Sequence, residues 1–109
     1  MKDHRLIDER SLAFDRLTAA KLKANPALVE KARDNVRRWL ASCSEGVRPA
    51  LLEWQAALDG PLEALLALLT SSDERATRLR QSSPFAGVLS PAERNAILRE
   101  YHRRESRAA

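Results

Sequence analysis

Two histidines and two pairs of adjacent carboxylates are the residues of this 109-residue chain that could transfer protons or bind a metal ion. His4 and His102 lie near opposite ends of the chain, and neither has a local grouping of carboxylates or thiolates with metal-ligand spacing. The acidic pairs at 8–9 and 73–74 are consecutive, so on helices their side chains point in different directions and are typical of helix-start charges. The sequence therefore predicts no metal site and no acid-base pair.

Serine is plentiful, but its spacing matches no nucleophile or phosphate motif. The chain has no Gly-x-Ser-x-Gly elbow and no Gly-x-x-x-x-Gly-Lys loop, and three glycines in total leave little backbone to cradle a phosphate. Cys43 is the only cysteine, which excludes an internal disulfide and a thiolate zinc cage, and we expect it to be a small, semi-buried apolar side chain. We therefore expect a protein that is not an enzyme and that has no cofactor.

The most specific stretch is 80–94, because it places an apolar cluster where the chain cannot be helical. Pro84 lacks a backbone donor, Gly87 permits a turn, and a new helix starts at Pro91. We call residues 81–90 the Pro-Phe loop. Three of its side chains must be buried, either by the loop itself or by a partner: Phe85, Val88 and Leu89.

The sequence leaves three arrangements of the Pro-Phe loop open. In the first, Phe85 and Leu89 fold back over the helical core and staple the last helix to it. In the second, they are anchors that insert into a groove on another protein, while nearby arginines pair with acidic groups of that partner. In the third, the same side chains mediate self-association. The candidate partner-binding residues are Arg78, Arg80, Pro84, Phe85, Val88 and Leu89.

An arginine-rich helix after the apolar segment 62–69 suggests an alternative, a helix-turn-helix in which Arg75, Arg78 and Arg80 reach DNA. The match is loose. Thr70 stands where a turn glycine usually occurs, Leu66 stands where a small residue usually packs, and the reading helix would have only about nine residues. Nucleic acid is therefore a second, less favoured partner.

Composition favours a single domain without a membrane span. Hydrophobic residues make up 44% of the chain and charged residues 31%, and the longest apolar stretch, 62–69, is far shorter than the ~20 residues that a bilayer span needs. The first ten residues carry charges throughout and have no apolar core, so they are not typical of a signal peptide. We expect a cytoplasmic location and no membrane partner.

The net charge of +4 is unevenly distributed along the chain. Residues 1–44 hold ten basic and six acidic side chains, 45–73 hold one and five, and 74–109 hold eight and four. Two basic ends therefore flank an acidic middle. Either the ends meet the middle in the fold, or their arginines are free for an anionic partner.

Leucine and alanine dominate and apolar β-branched residues are few, which predicts an all-α fold, a compact bundle of five or six short helices with an ordered loop before the last. The first helix would bury a stripe of Leu6, Ala13, Leu17 and Ala20. Asn25 would cap the second, and capping boxes would begin the last two, at Ser71 with Glu74 and at Ser90 with Glu93. The predicted helices are 5–23, 26–42, 48–58, 61–69, 71–80 and 91–102. Residues 1–102 would form one domain, and 103–109 a disordered basic tail.

Both tryptophans lie on the apolar faces of their predicted helices. Trp39 follows Leu28, Ala32 and Val36 at helical spacing, and Trp54 follows Leu51. We expect both rings in the core, although a tryptophan near a helix end can also be an exposed anchor.

Three segments together carry a family resemblance: 9–13 (ERSLA), 54–69, and 79–94 (LRQSSPFAGVLSPAER). With them the chain resembles a family of small, uncharacterised bacterial helical proteins, and the third segment is the specific part. Such proteins look like the small partner in two-gene modules of toxin–antitoxin type. The resemblance implies a non-catalytic, antitoxin-like binder that neutralises a partner protein, with a toxin of nucleotidyltransferase type as one candidate.

Overall fold

The computed structural model describes residues 4–108, and the side chains of 5–107. Within that range every regular element is a helix and there is no strand, so the predicted all-α bundle is confirmed. The elements are α1 (His4–Ala24), a 3-10 turn (Pro26–Leu28), α2 (Val29–Leu40), α3 (Arg48–Asp59), α4 (Leu62–Thr70), α5 (Glu74–Arg80) and α6 (Pro91–Ala108).

Proline positions the break between α1 and α2. The backbone N–H of Asn25 donates to the Lys21 carbonyl at 2.8 Å, and the chain then forms the 3-10 turn that begins with Pro26. The Asn25 side chain makes no capping hydrogen bond, so the predicted cap is wrong. The α-helix therefore begins three residues later than predicted, at Val29.

The predicted capping boxes have opposite outcomes. At α6 the box is confirmed: the Ser90 N–H donates to the Glu93 carboxylate at 2.7 Å, and the Glu93 N–H donates to the Ser90 hydroxyl at 3.1 Å. At α5 the cap is Asp73, which accepts from the Ala76 N–H at 2.8 Å. The Ser71 hydroxyl accepts only from the Asp73 N–H, so the predicted start at Ser71 is wrong. Asp73 stands immediately before the helix, at the N-cap position, so its carboxylate reaches the first-turn N–H that Ser71 was predicted to cap.

The core is built from five helices and the Pro-Phe loop, around the fully buried Trp54. Helix α4 packs mainly against α1 and buries Leu65 and Leu69, while its outer side exposes alanines. The buried face of α1 differs from the predicted stripe. In the structure, Ala20 of that stripe is exposed and its other members are half-buried. The residues that α1 buries are Asp15, Thr18, Ala19 and Leu22.

Helix α6 lies antiparallel to α1 as an outer layer, and it adds no residue to the central core cluster. Near its start Glu93 pairs with Lys21 at 2.8 Å, and near its end Arg104 pairs with Glu9 at 3.8 Å. The Glu93 pKa falls to about 2, because the Lys21 ammonium and the backbone of Ser90 hydrogen-bond to its carboxylate.

The helix α6 continues to Ala108, whereas the sequence predicted a disordered tail from Arg103. Within α6, Glu100 pairs with both Arg103 and Arg104, one helical turn away. The Arg104 guanidinium also stacks over the Tyr101 ring at 4.6 Å. Pairs at these spacings stabilise a helix that has few core residues. Ala109 lies outside the described residues.

Candidate functional site: the Pro-Phe loop and the groove beside it

The Pro-Phe loop turns at residues 85–88. The Val88 N–H donates to the Phe85 carbonyl at 3.1 Å, which closes a four-residue turn. Gly87, the third residue of this turn, has a φ of 85°, a backbone conformation that side-chain-bearing residues rarely adopt. The turn anticipated at Gly87 is therefore present, and it directs the residues on either side towards the helices.

The apolar side chains of the loop point into the protein's own core. Phe85 is 6% exposed, and its ring meets Trp54 edge-on, with the centroids 5.5 Å apart. Val88, Leu89 and Pro84 are buried as well. Of the arrangements that the sequence left open, the structure shows the staple, and these side chains are not the exposed anchors that the partner-binding hypothesis required.

Two polar side chains hold the loop by donating hydrogen bonds to its backbone carbonyls. The Asn35 amide, on α2 and only 5% exposed, donates to the carbonyls of Pro84 at 2.9 Å and of Ala86 at 3.0 Å. The Lys21 ammonium donates to the Val88 carbonyl at 2.8 Å. Backbone groups of a buried loop need such partners, because an unpaired buried carbonyl is costly. Sequence reasoning missed Asn35, although its position three residues after Ala32 marks it as lying on the buried side of α2.

The start of the loop is held by a buried ion pair at the end of α5. Arg80 and Asp15 lie 3.0 Å apart, and each side chain is only 7% exposed. The same guanidinium donates to the carbonyls of Leu69 and Ser71, so it joins α1, α4 and α5. Burial raises the Asp15 pKa to about 6, against the opposing effect of the Arg80 charge. Arg80 is therefore a structural residue and is not available to a partner.

The other two arginines of α5 share one carboxylate. Arg78 donates to both oxygens of Glu53 at 3.1 Å, and Arg75 lies 3.6 Å from the same group. The basic C-terminal part of the chain thus meets the acidic middle in the fold. Helix α5 has only seven residues, and all three of its arginines are engaged within the chain. Arg78, about half exposed, is the only accessible member of the candidate partner-binding set.

A groove opens immediately beside the loop, where the sequence did not predict a site. It lies between the end of α2, the start of α3 and the first three residues of the loop, and it has a volume of about 480 Å³. Its lining residues are Trp39, Ser42, Cys43, Ser44, Val47, Leu51, Gln81, Ser82 and Ser83. We call this the Trp39 groove.

Trp39 is the principal side chain of this groove. Unlike Trp54, whose indole N–H donates to the Leu79 carbonyl at 2.9 Å, Trp39 is only half-buried and its indole N–H has no acceptor among the described residues. The prediction that both tryptophans are core residues is thus confirmed for Trp54 and corrected for Trp39. The neighbouring Val47 is 40% exposed, and the half-buried Cys43 carries the free thiol.

Two cations lie along the seam between α2 and the loop. Arg38 is exposed and donates to the Asn35 side-chain oxygen. The aliphatic part of the Lys31 side chain lies against Gly87, 3.6 Å from the position that a Cβ atom would occupy there. Neither forms an ion pair with a carboxylate of the described residues. The seam therefore has an apolar slot at one end and unneutralised positive charge along its length.

A larger depression of about 880 Å³ is lined by one side of α6 and by Arg10 of α1. Its lining is mainly polar and charged and includes the exposed His102, whereas the His4 side chain lies outside the described residues. No group of three or more His, Cys, Asp or Glu residues within the described side chains could hold a metal ion. Among the described helices, none combines the length and apolar character that a membrane span requires.

Comparison with known proteins assigns the chain to no group: no family model, no curated protein and no solved structure matches it.

Proposed function

We propose that this protein is a non-catalytic protein-interaction module, an antitoxin-like binder that neutralises a partner protein. The observation that carries the proposal is the Trp39 groove, a preformed apolar slot with a half-buried tryptophan whose indole N–H has no acceptor among the described residues. Tryptophan is among the residues that dominate binding energy at protein interfaces, where its ring fills a pocket and its N–H pairs with the partner.

The Pro-Phe loop has a supporting role in this proposal. Its first three residues form one wall of the groove, and the buried Phe85 and Asn35 hold that wall against the helices. A wall that is ordered before binding lowers the entropy lost on association. The loop would thus present the groove, in place of inserting its own side chains into the partner.

The partner belongs to the proposal as well. From the resemblance of the sequence to antitoxin-like proteins, we propose the product of the adjacent gene in a bacterial two-gene module, a toxin of nucleotidyltransferase type being one candidate. Binding would take place in the cytoplasm. The alternative, a helix-turn-helix DNA-binding regulator, has less support because Arg75, Arg78 and Arg80 are engaged with carboxylates of the same chain.

Co-expression tests this function. The product of the adjacent gene is induced alone and together with this chain in a heterologous bacterium, and growth is measured. We expect growth inhibition by the partner alone, relief by this chain, and a stoichiometric complex on purification. The proposal fails if no complex forms, or if the chain binds its own upstream DNA sequence-selectively at physiological salt and loses that binding in Arg78→Ala. That second result would favour the regulator.

A further inference from the structure

The seam between α2 and the Pro-Phe loop has a direction. The loop runs antiparallel to α2: its first residues border the groove at Trp39, its middle accepts from Asn35, and Gly87 lies beside Lys31. A chain segment that enters the groove can therefore continue along the exposed edge of the seam, over Arg38 and towards Lys31.

The groove end of the seam is suited to an apolar side chain and to peptide carbonyls. Val47, which is 40% exposed, contributes apolar surface beside the Trp39 ring, and the buried Leu51 lies at the floor of a volume larger than a single leucine or phenylalanine side chain. The indole N–H has no acceptor, and the hydroxyls of Ser42 and Ser82 make no hydrogen bond within the described chain. These donors can satisfy the carbonyls of an extended segment, as polar groups in ligand sites do.

The rest of the seam is suited to carboxylates. Arg38 immediately precedes Trp39 in the sequence. Lys31 lies seven residues before Arg38, on the same face of α2. Seven helical residues span about 10 Å, which an extended peptide covers in about three residues. The neighbouring Arg37 differs because it already pairs with Asp34 at 2.9 Å.

We infer that the Trp39 groove binds an acidic segment of the partner protein, in which one large apolar side chain enters the groove and two carboxylates, about three residues apart, follow on one side and pair with Arg38 and Lys31. This inference rests on the proposed function and specifies the chemistry of the partner. The apolar slot favours a peptide over a nucleic acid, and the positive seam favours an acidic peptide over a neutral one.

A displayed library of random 12-residue peptides, selected on the folded full-length chain, tests this chemistry directly. We expect enriched peptides to contain a Leu, Phe or Trp with two acidic residues on one side of it. Selection on Trp39→Ala should lower the enrichment at least tenfold, and Arg38→Glu should do the same while admitting basic peptides. The matched controls are Leu52→Ala, an exposed apolar residue outside the groove, and Arg37→Glu. Absence of enrichment, enrichment of basic peptides, or indifference to Trp39→Ala would overturn the inference.

The single cysteine reports where such a peptide binds. Cys43 lines the groove, so maleimide can label the groove without labelling any other residue. We expect the most enriched peptide, synthesised without cysteine, to slow alkylation of Cys43 at least fivefold. An unchanged rate under saturating peptide, or equal protection by duplex DNA, would contradict the inference.

The same readout separates the inference from the proposed function. If the adjacent gene product binds and growth is relieved while Cys43 remains fully reactive in the complex, the inference is wrong and the proposed function stands. If the acidic peptide protects Cys43 but no complex forms with the gene product, the groove chemistry stands and the antitoxin-like function is wrong.

Discussion

The Pro-Phe loop and the Trp39 groove lie side by side and are opposites in construction. The loop has irregular backbone, yet its apolar side chains point inward and its carbonyls are held by Asn35 and Lys21. The groove is lined mainly by the connection between α2 and α3 and by the first residues of the loop, and Trp39 and Val47 remain partly exposed there. Irregularity and apolar content, which singled out the loop in the sequence, therefore do not mark the accessible surface.

The physical reason is whether the rest of the chain supplies hydrogen-bond partners and apolar cover for each region. A loop with buried backbone needs side-chain donors for its carbonyls, and this loop obtains them from α1 and α2, so it closes upon the core. At the end of α2 the apolar stripe extends one turn beyond the core residue Val36, and the last large member, Trp39, is covered only on one side. An incompletely covered helix end is the better indicator of accessible apolar surface here.

Replacing Phe85 gives the strongest test of the loop as part of the core. Because the ring is buried and meets Trp54, Phe85→Ala should lower the free energy of unfolding by about 3–5 kcal/mol. Denaturant titration of the purified protein measures this, with the exposed Leu52→Ala as control, which should change stability by less than about 1 kcal/mol. A loss below about 1 kcal/mol for Phe85→Ala would show that the loop does not staple the core.

The ion pair at the start of the loop should also be costly to break. Arg80→Met leaves the Asp15 carboxylate buried without its partner, so the free energy of unfolding at pH 7 should fall by about 3–5 kcal/mol. The double variant with Asp15→Leu should recover part of this loss, because it also removes the buried charge. A double variant that is less stable than Arg80→Met alone would indicate that the pair itself is strongly stabilising.

Titration of Asp15 should make stability depend on pH. Its pKa is raised to about 6 in the folded protein, so the folded state binds this proton more tightly than the unfolded chain, and the associated stability is lost as the pH rises through 6. Between pH 4.5 and 7 the free energy of unfolding should fall by about 2 kcal/mol.

Asp15→Asn is the control for this pH dependence, and it should remove the decrease. The lowered pKa of Glu93 acts in the opposite sense, but only below its ordinary value near 4.5, so it does not obscure this window. Stability that rises between pH 4.5 and 7 in the natural protein would show that the ion pair outweighs the burial of Asp15.

Loss of the Asn35 amide should have a smaller effect, because it removes two hydrogen bonds to the loop and one from Arg38 without creating a large cavity. We expect Asn35→Ala to lower the free energy of unfolding by about 1–3 kcal/mol. Hydrogen exchange should show faster exchange of the Val88 amide, which closes the turn. Exchange that is unaltered at Val88 would mean that Asn35 does not order the loop.

Much of the fold was predictable because its signals are local. The Ser90–Glu93 capping box, the break at Pro26 and the face of Trp54 each depend on residues within one or two helical turns. The buried polar residues were not predictable in this way. Asp15 meets Arg80 65 positions away, and Asn35 meets Pro84 49 positions away, so a polar residue on a core face reads as a surface residue until its distant partner is known.

The candidate site was predictable only in part. The sequence identified the Pro-Phe loop as ordered and Gly87 as its turn. It could not decide whether Phe85 faces the core or the solvent, because the same apolar residues would be expected in a loop that packs on its own core and in one that binds a partner. The burial of Trp39, which we predicted to lie in the core, was also not decided by the sequence. Its position at the last turn of an amphipathic helix allowed either burial or exposure, and the structure leaves it half-buried.

The most direct measurement is the affinity for the proposed partner, the adjacent gene product, compared between Trp39→Ala and Leu52→Ala by calorimetry. Since Trp39 is half-buried, Trp39→Ala should lower the free energy of unfolding by only about 1–2 kcal/mol and leave the chain folded. We expect its Kd to rise at least tenfold, about 1.4 kcal/mol, while that of Leu52→Ala stays within about twofold of the natural protein. Equal affinities for Trp39→Ala and the natural protein would show that the groove is not the binding surface.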